Sequence, residues 1–152
     1  MTFTTPDAAQ WEPLLAAAWA ARDNAHAPYS HFRVGAALLW DVNQITSGCN
    51  VENASYPLCL CAERTALCTA VAQGMKPLQP VALVIVTESG ELTPPCGACR
   101  QALVEFAGDL PILIANRSRS QLHNLAELLP MAFTGRNLRE DSTIHSSKEP
   151  IE

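Results

Sequence analysis

The chain has 152 residues, 48% hydrophobic and 16% charged, with a formal net charge of −5. That length is most simply one domain with a real core, and the acidic balance disfavours a broad electrostatic grip on nucleic-acid phosphates. So low a charge fraction points to a particle that hides further surface by self-association. The start of the chain shows no basic segment followed by an apolar run, so no secretion signal is expected. No apolar stretch approaches the ~20 residues that cross a bilayer. Six cysteines then read as reduced thiols, some metal-bound, and the cytoplasm is the expected location.

In chain order, Thr5-Pro6-Asp7 and Glu12-Pro13 both offer helix starts, because proline is tolerated in a first turn. Trp11, Leu14, Leu15 and Ala18 follow helical spacing, and Ala-rich sequence runs on to Asn24. Residues 27–30, Ala-Pro-Tyr-Ser, break the pattern. Residues 32–40 read as a largely buried strand, residues 41–43 as a turn, and residues 44–51 as a second strand. An irregular loop with Tyr56-Pro57 precedes Cys61. From Cys61 to Gln73 small and apolar residues predict a tightly packed helix stopped by Gly74. Residues 81–86, Val-Ala-Leu-Val-Ile-Val, have the length and β-branching of a strand covered on both faces. After the turn at Thr93-Pro94-Pro95, the spacing of Cys99, Ala102, Leu103 and Phe106 predicts a helix ended by Gly108. Residues 110–115 form another strand, and residues 122–129 a weaker strand followed by a short helix. Beyond Gly135 the apolar content collapses, which divides the chain into a domain over residues 1–138 and a solvated tail over 139–152. The order α-β-β-α-β-α-β defines an α/β fold, a sheet with helices packed against it.

Two short segments carry the chemistry. Cys96-x-x-Cys99 places two sulfurs on one face at a helix start, and Cys61 supplies a third from another helix start. Three protein ligands leave a fourth zinc position open, the arrangement of a catalytic centre. Positions i and i+2 of a helix face different ways, so Cys61 and Glu63 can share a metal only with Cys61 at the cap and Glu63 in the first turn. Three thiolates over-neutralise a divalent ion. Compensation is expected from two helix N-termini and from Arg64, three positions after Cys61 and placed to donate to a ligand sulfur. Glu63 is then the acid/base group, its pKa raised by the anionic cluster and lowered by the helix dipole. Rival readings are a redox-active C-x-x-C and a closed four-sulfur zinc site that adds Cys59. Cys49 and Cys68 read as plain buried thiols. Asn50 and Glu52 straddle Val51 and would project to one face of a strand, as a hydroxyl-binding pair or as an exposed polar edge. Phe32 and Phe133 would by themselves be assigned to the core.

Cys61-Ala-Glu63 with Pro95-Cys96-x-x-Cys99 is similar to the signature of zinc nucleobase deaminases. Further segments are Ala27-Pro-Tyr-Ser30, Phe32-x-Val-Gly-Ala-Ala37, Gly48-Cys-Asn-Val-Glu-Asn53, Cys61-Ala-Glu-Arg-Thr-Ala66, Pro95-Cys-Gly-Ala-Cys-Arg-Gln101 and Leu128-Leu-Pro-x-x-Phe133. Together they resemble the small, homotetrameric, zinc-dependent cytidine deaminases, to about residue 138. The resemblance implies a five-stranded mixed sheet sandwiched by helices, one zinc per subunit, and hydrolysis of cytidine or deoxycytidine to uridine or deoxyuridine plus ammonia. It also implies that Glu63 shuttles the proton, that Asn50 and Glu52 hold the ribose, and that Phe32 and the backbone of Ala62 contact the base. Phe133 would reach a neighbouring subunit's site. Alternatives are deamination of a modified nucleoside such as blasticidin S, polynucleotide editing, and a purely structural zinc. One departure stands out: the family has Ser or Thr where this chain has Pro94, whose fixed φ would shift rate or substrate preference while keeping the backbone carbonyl.

Overall fold

The computed structural model describes residues 8–41, 43–75 and 79–138. The expected helix start at Thr5-Pro6-Asp7, Val42 of the turn and the tail over 139–152 lie outside the described residues. Helix α1 (Ala8–Asp23) leads into strands β1 (Val34–Trp40) and β2 (Ile45–Cys49), then helix α2 (Ala62–Ala72) and strand β3 (Pro80–Thr87). Helix α3 (Gly97–Val104), strands β4 (Pro111–Ala115) and β5 (Ser120–Asn124) and the short helix α4 (Leu125–Leu128) complete it. The strands form one sheet in the order β2-β1-β3-β4-β5, parallel at β3–β4 and antiparallel elsewhere. The five-stranded mixed sheet is thus present, and α3 lies on the crossover that parallel pairing demands.

Strand alternation sorts the side chains to two faces. Ala36, Leu38 and Trp40 of β1 with Leu83 and Ile85 of β3 pack under α2 and α3. Ala37 and Leu39 with Ala82, Val84 and Val86 pack under Leu14 and Ala18 of α1. Both faces of β1 and β3 are therefore covered, which is why those strands read as unbroken apolar runs.

Two glycines set the layer spacing. A Cβ at Gly35 would run into the Ala18 carbonyl oxygen of α1, and one at Gly48 into the Ala66 backbone nitrogen of α2. Gly48 thus lets the first turns of α2 lie directly on β2, the contact that brings Cys61 and Glu63 to the sheet.

The boundaries shift for physical reasons. Pro13 lies inside α1 and not at its start. β1 begins at Val34, two residues later than its pattern predicts, and β2 ends at Cys49. The Asn50 side chain takes the place of the missing ladder bonds: its Oδ1 accepts from Val34 N–H at 2.8 Å and its Nδ2 donates to the Phe32 carbonyl at 2.8 Å. Cys68 is exposed and Cys49 half-buried, against the expectation of buried thiols. In α2 the inward face runs through Ala62, Ala66 and Ala70, and Cys68 points away from it.

Candidate active site

Cys61 is the N-cap of α2, with extended backbone (φ −77°, ψ 154°), and Cys96 is the N-cap of α3 (φ −66°, ψ 165°). Neither side chain caps a backbone N–H. Both sulfurs instead stand at a helix start, where the first backbone N–H groups have no intrahelical acceptor and carry partial positive charge. The Cys61–Cys96 sulfur distance is 3.7 Å and the Cys96–Cys99 distance 3.4 Å. All three sulfurs lie within 4.8 Å of one another. A tetrahedron with Zn–S bonds of ~2.3 Å has edges of ~3.8 Å, so this triangle accommodates zinc with little movement. Cys59 stays outside it: its Sγ receives the Asn53 N–H at 3.3 Å. Among the described residues the metal-ligating cluster is the three-sulfur one, and the closed four-sulfur reading has no support in this geometry.

Donation from the Cys99 thiol, followed by Arg64 and Cys96, pulls the Cys61 thiol down to about 5, while the same bond to Cys61 pushes Cys99 up. One sulfur is therefore already a thiolate near neutral pH, as a zinc ligand must be. Arg64 Nη2 lies 3.8 Å from Cys61 Sγ and donates to the Cys59 carbonyl at 3.2 Å. The guanidinium thus sits where charge compensation is needed.

Glu63 occupies the first turn of α2 and is only 4% exposed. Burial, and secondarily the Cys61 thiolate, raises its pKa above the ordinary carboxylate range; its own backbone N–H opposes the shift. It opens with Cys61, Cys96 and the backbone-tight Ala62 into a cavity of about 500 Å³. Phe32, Asn50, Glu52 and Pro94 also line that cavity. Glu52 Oε2 accepts the backbone N–H groups of Tyr29 at 2.9 Å and Ser30 at 3.2 Å. The Ser30 hydroxyl donates to Oε1. Phe133 is brought to no part of this cavity; it is exposed, and its carbonyl accepts from Gln101 Nε2 at 2.7 Å.

Residues not singled out from the sequence hold the second cysteine segment. Arg100 donates from Nε to the Pro95 carbonyl at 2.8 Å and from Nη1 to the Leu128 carbonyl at 2.7 Å. It thereby ties the turn before Cys96 to α4. An arginine directly after a metal-binding cysteine was the available signal. Ser30, which backs Glu52, carries no signal beyond its place in the Ala27-Pro-Tyr-Ser30 segment.

Three thiols and a buried carboxylate, gathered at two helix starts over one sheet beside a cavity, define a zinc-dependent hydrolytic centre. Residues 9–113 match the family described as the cytidine and deoxycytidylate deaminase zinc-binding region, and the chain belongs to that family. A cytidine deaminase of Sporosarcina psychrophila is 43% identical over 129 residues, covering 84% of this chain and 93% of that protein. The crystal structure of cytidine deaminase from Burkholderia pseudomallei superposes with a TM-score of 0.76 at 46% identity, covering 80% of this chain and 97% of that one. That from Mycobacterium tuberculosis gives 0.68 at 41% identity, covering 81% and 96%. Zinc is accordingly the metal of this centre.

Proposed function

We propose that this chain hydrolyses cytidine and deoxycytidine to uridine and deoxyuridine, releasing ammonia, with Cys61, Cys96 and Cys99 holding the zinc. The observation that carries the reading is the buried Glu63, its pKa raised mainly by burial, opening with Cys61 and Cys96 of the three-sulfur triangle into a cavity of about 500 Å³. When bound, zinc supplies a Lewis acid that brings the pKa of a coordinated water to about 7. Glu63 takes one proton of the attacking water to N3 of the base, and then carries the proton of the new C4 hydroxyl to the departing amine. The C4–O bond forms and the C4–N bond breaks; the first water proton stays on N3, the second leaves on ammonia, and the C4 oxygen becomes the carbonyl. Arg64 steadies the Cys61 thiolate and so offsets the excess negative charge of the cluster. Ala62 contributes backbone to the base, and Phe32 lies along the base plane. Asn50 and Glu52, which line the same cavity, receive the ribose.

The cavity also supports a nucleoside over a nucleotide. Among the described residues that line it there is no lysine, arginine or histidine, while the Glu52 carboxyl is held below the usual carboxylate range, chiefly by the Ser30 hydroxyl. A sugar phosphate would face that carboxylate with no basic side chain in the cavity lining to pair with it. The absence of a basic side chain from that lining and the net charge of −5 argue against a polynucleotide.

The assembly we propose is a homotetramer with shared sites. Phe133 is 58% exposed and does not line its own cavity, which supports a role in closing a neighbour's. Val51, Tyr56, Leu58 and Leu60 are exposed apolar residues around the loop that precedes Cys61, a surface that a second copy would cover. No helix among the described residues is long and apolar enough to cross a membrane. A cytoplasmic enzyme of pyrimidine salvage is the corresponding proposal.

Loss of absorbance near the cytidine maximum on adding purified protein tests the reading, run in parallel with deoxycytidine and deoxycytidylate. Turnover of both nucleosides with little of the nucleotide is expected. Turnover of the nucleotide alone would overturn the nucleoside assignment. Light scattering should return the mass of four chains.

A further inference from the structure

Glu52 accepts three hydrogen bonds from the protein, and the residue that donates two of them, Ser30, lies in a segment with no assigned role. Its Oε2 accepts two backbone N–H groups, from Tyr29 and Ser30. Its Oε1 accepts one hydroxyl, from Ser30. The Ser30 oxygen in turn accepts the Phe32 N–H at 3.0 Å. The residue between them, His31, has φ +57°, a left-handed backbone that folds the chain back on itself. Phe32 is fixed from its other side by Asn50, which receives the Val34 N–H and donates to the Phe32 carbonyl. The strap over residues 29–34 is thus laced at both ends to Asn50 and Glu52.

A carboxylate offers about four acceptor positions. Three are filled by the protein, two on Oε2 and one on Oε1. The fourth, on Oε1, is left for one external donor, and Ser30 lines the cavity from which that donor would come. We infer that Ser30 is the positioning residue of the ribose clamp: its hydroxyl orients Glu52 so that Oε1 presents a single acceptor to one sugar hydroxyl. A ribose hydroxyl can donate to that acceptor, whereas an alkoxy or deoxy position cannot. The inference rests on the proposed role of Glu52 in holding the sugar, and on the 3′-hydroxyl as the group it reads.

The experiment compares kcat/KM for cytidine and 3′-deoxycytidine in the zinc-loaded wild type, Ser30→Ala and Ser30→Thr, with zinc content and Tm recorded for each. The wild type should prefer cytidine. Ser30→Ala should shrink that preference roughly tenfold, the worth of one charge-assisted hydrogen bond, mainly through KM for cytidine. Ser30→Thr, which keeps the hydroxyl, should restore it. If Ser30→Ala slows both substrates by the same factor, or leaves the preference intact, the clamp stands and the positioning role of Ser30 is overturned. Indifference of the wild type itself to the 3′-hydroxyl overturns the sugar-binding role of Glu52, and this inference with it.

Discussion

Replacing Gly48 with alanine tests how the sheet positions the metal site. The added Cβ would meet the Ala62 carbonyl oxygen and the Thr65 carbonyl carbon, each at 2.8 Å, and the Ala66 nitrogen closer still. All three are backbone atoms of α2, so no side-chain rotamer can relieve the contact. Carbon in ordinary contact sits at about 3.5 Å or more, so the first turns of α2 must retreat from β2 by on the order of 1 Å. Overpacking of this kind costs about 1–3 kcal/mol, which for a chain of this size lowers Tm by roughly 3–9 °C. The retreat carries Cys61 and Glu63 with it, and a misplacement near 1 Å can reduce turnover about 100-fold. Gly35→Ala is the matched control. Its Cβ meets Arg22 Cβ and Arg22 N, each at 2.8 Å, and the Ala18 carbonyl oxygen, all on α1 across the sheet. Both variants should lose Tm, but only Gly48→Ala should also release zinc more readily to a chelator and lose kcat. Wild-type turnover and zinc retention in Gly48→Ala, or equal zinc loss in Gly35→Ala, would refute the reasoning.

Further outcomes follow from the site. Arg64→Gln removes a donor to the Cys61 thiolate, so zinc should be lost at a higher pH during acid titration than in the wild type; an unchanged midpoint contradicts the role given to Arg64. Cys59→Ser should retain the full zinc content, measured by atomic absorption, because that sulfur faces Asn53 and not the cluster. Glu63 has a folded-state pKa raised mainly by burial, so its ionisation opposes folding as pH rises past the unfolded value. Glu63→Gln should therefore have a higher Tm than wild type at neutral pH. The gap should close below pH ~4, where the carboxyl is protonated in both states.

Much of this was legible in the sequence because the information is local. The unbroken apolar run of β3 announces a strand covered on both faces, and α1 and α2 cover them. The conflict between Cys61 and Glu63 at i and i+2 forces the cap arrangement, and the backbone of Cys61 adopts it. What escaped is long-range. That Gly48 is a docking surface for α2 depends on the register of β2 against β1, where it opposes Ala36. The early end of β2 depends on Asn50 spending both of its side-chain polar groups on the backbone of residues 32 and 34. Arg100 reaches Leu128 across 28 positions of chain, and no spacing rule anticipates it. The exposure of Cys68 follows from which face of α2 meets the sheet, a choice that its run of small residues leaves open.

The central claim is that Glu63 moves the proton while three cysteines hold the metal. Zinc content and cytidine turnover measured together on Glu63→Gln test it most directly. Glutamine keeps the shape of the side chain but cannot carry the proton, so a full complement of zinc with turnover reduced by at least ~100-fold is the predicted result. Zinc-loaded Glu63→Gln that turns over cytidine at the wild-type rate would contradict the account.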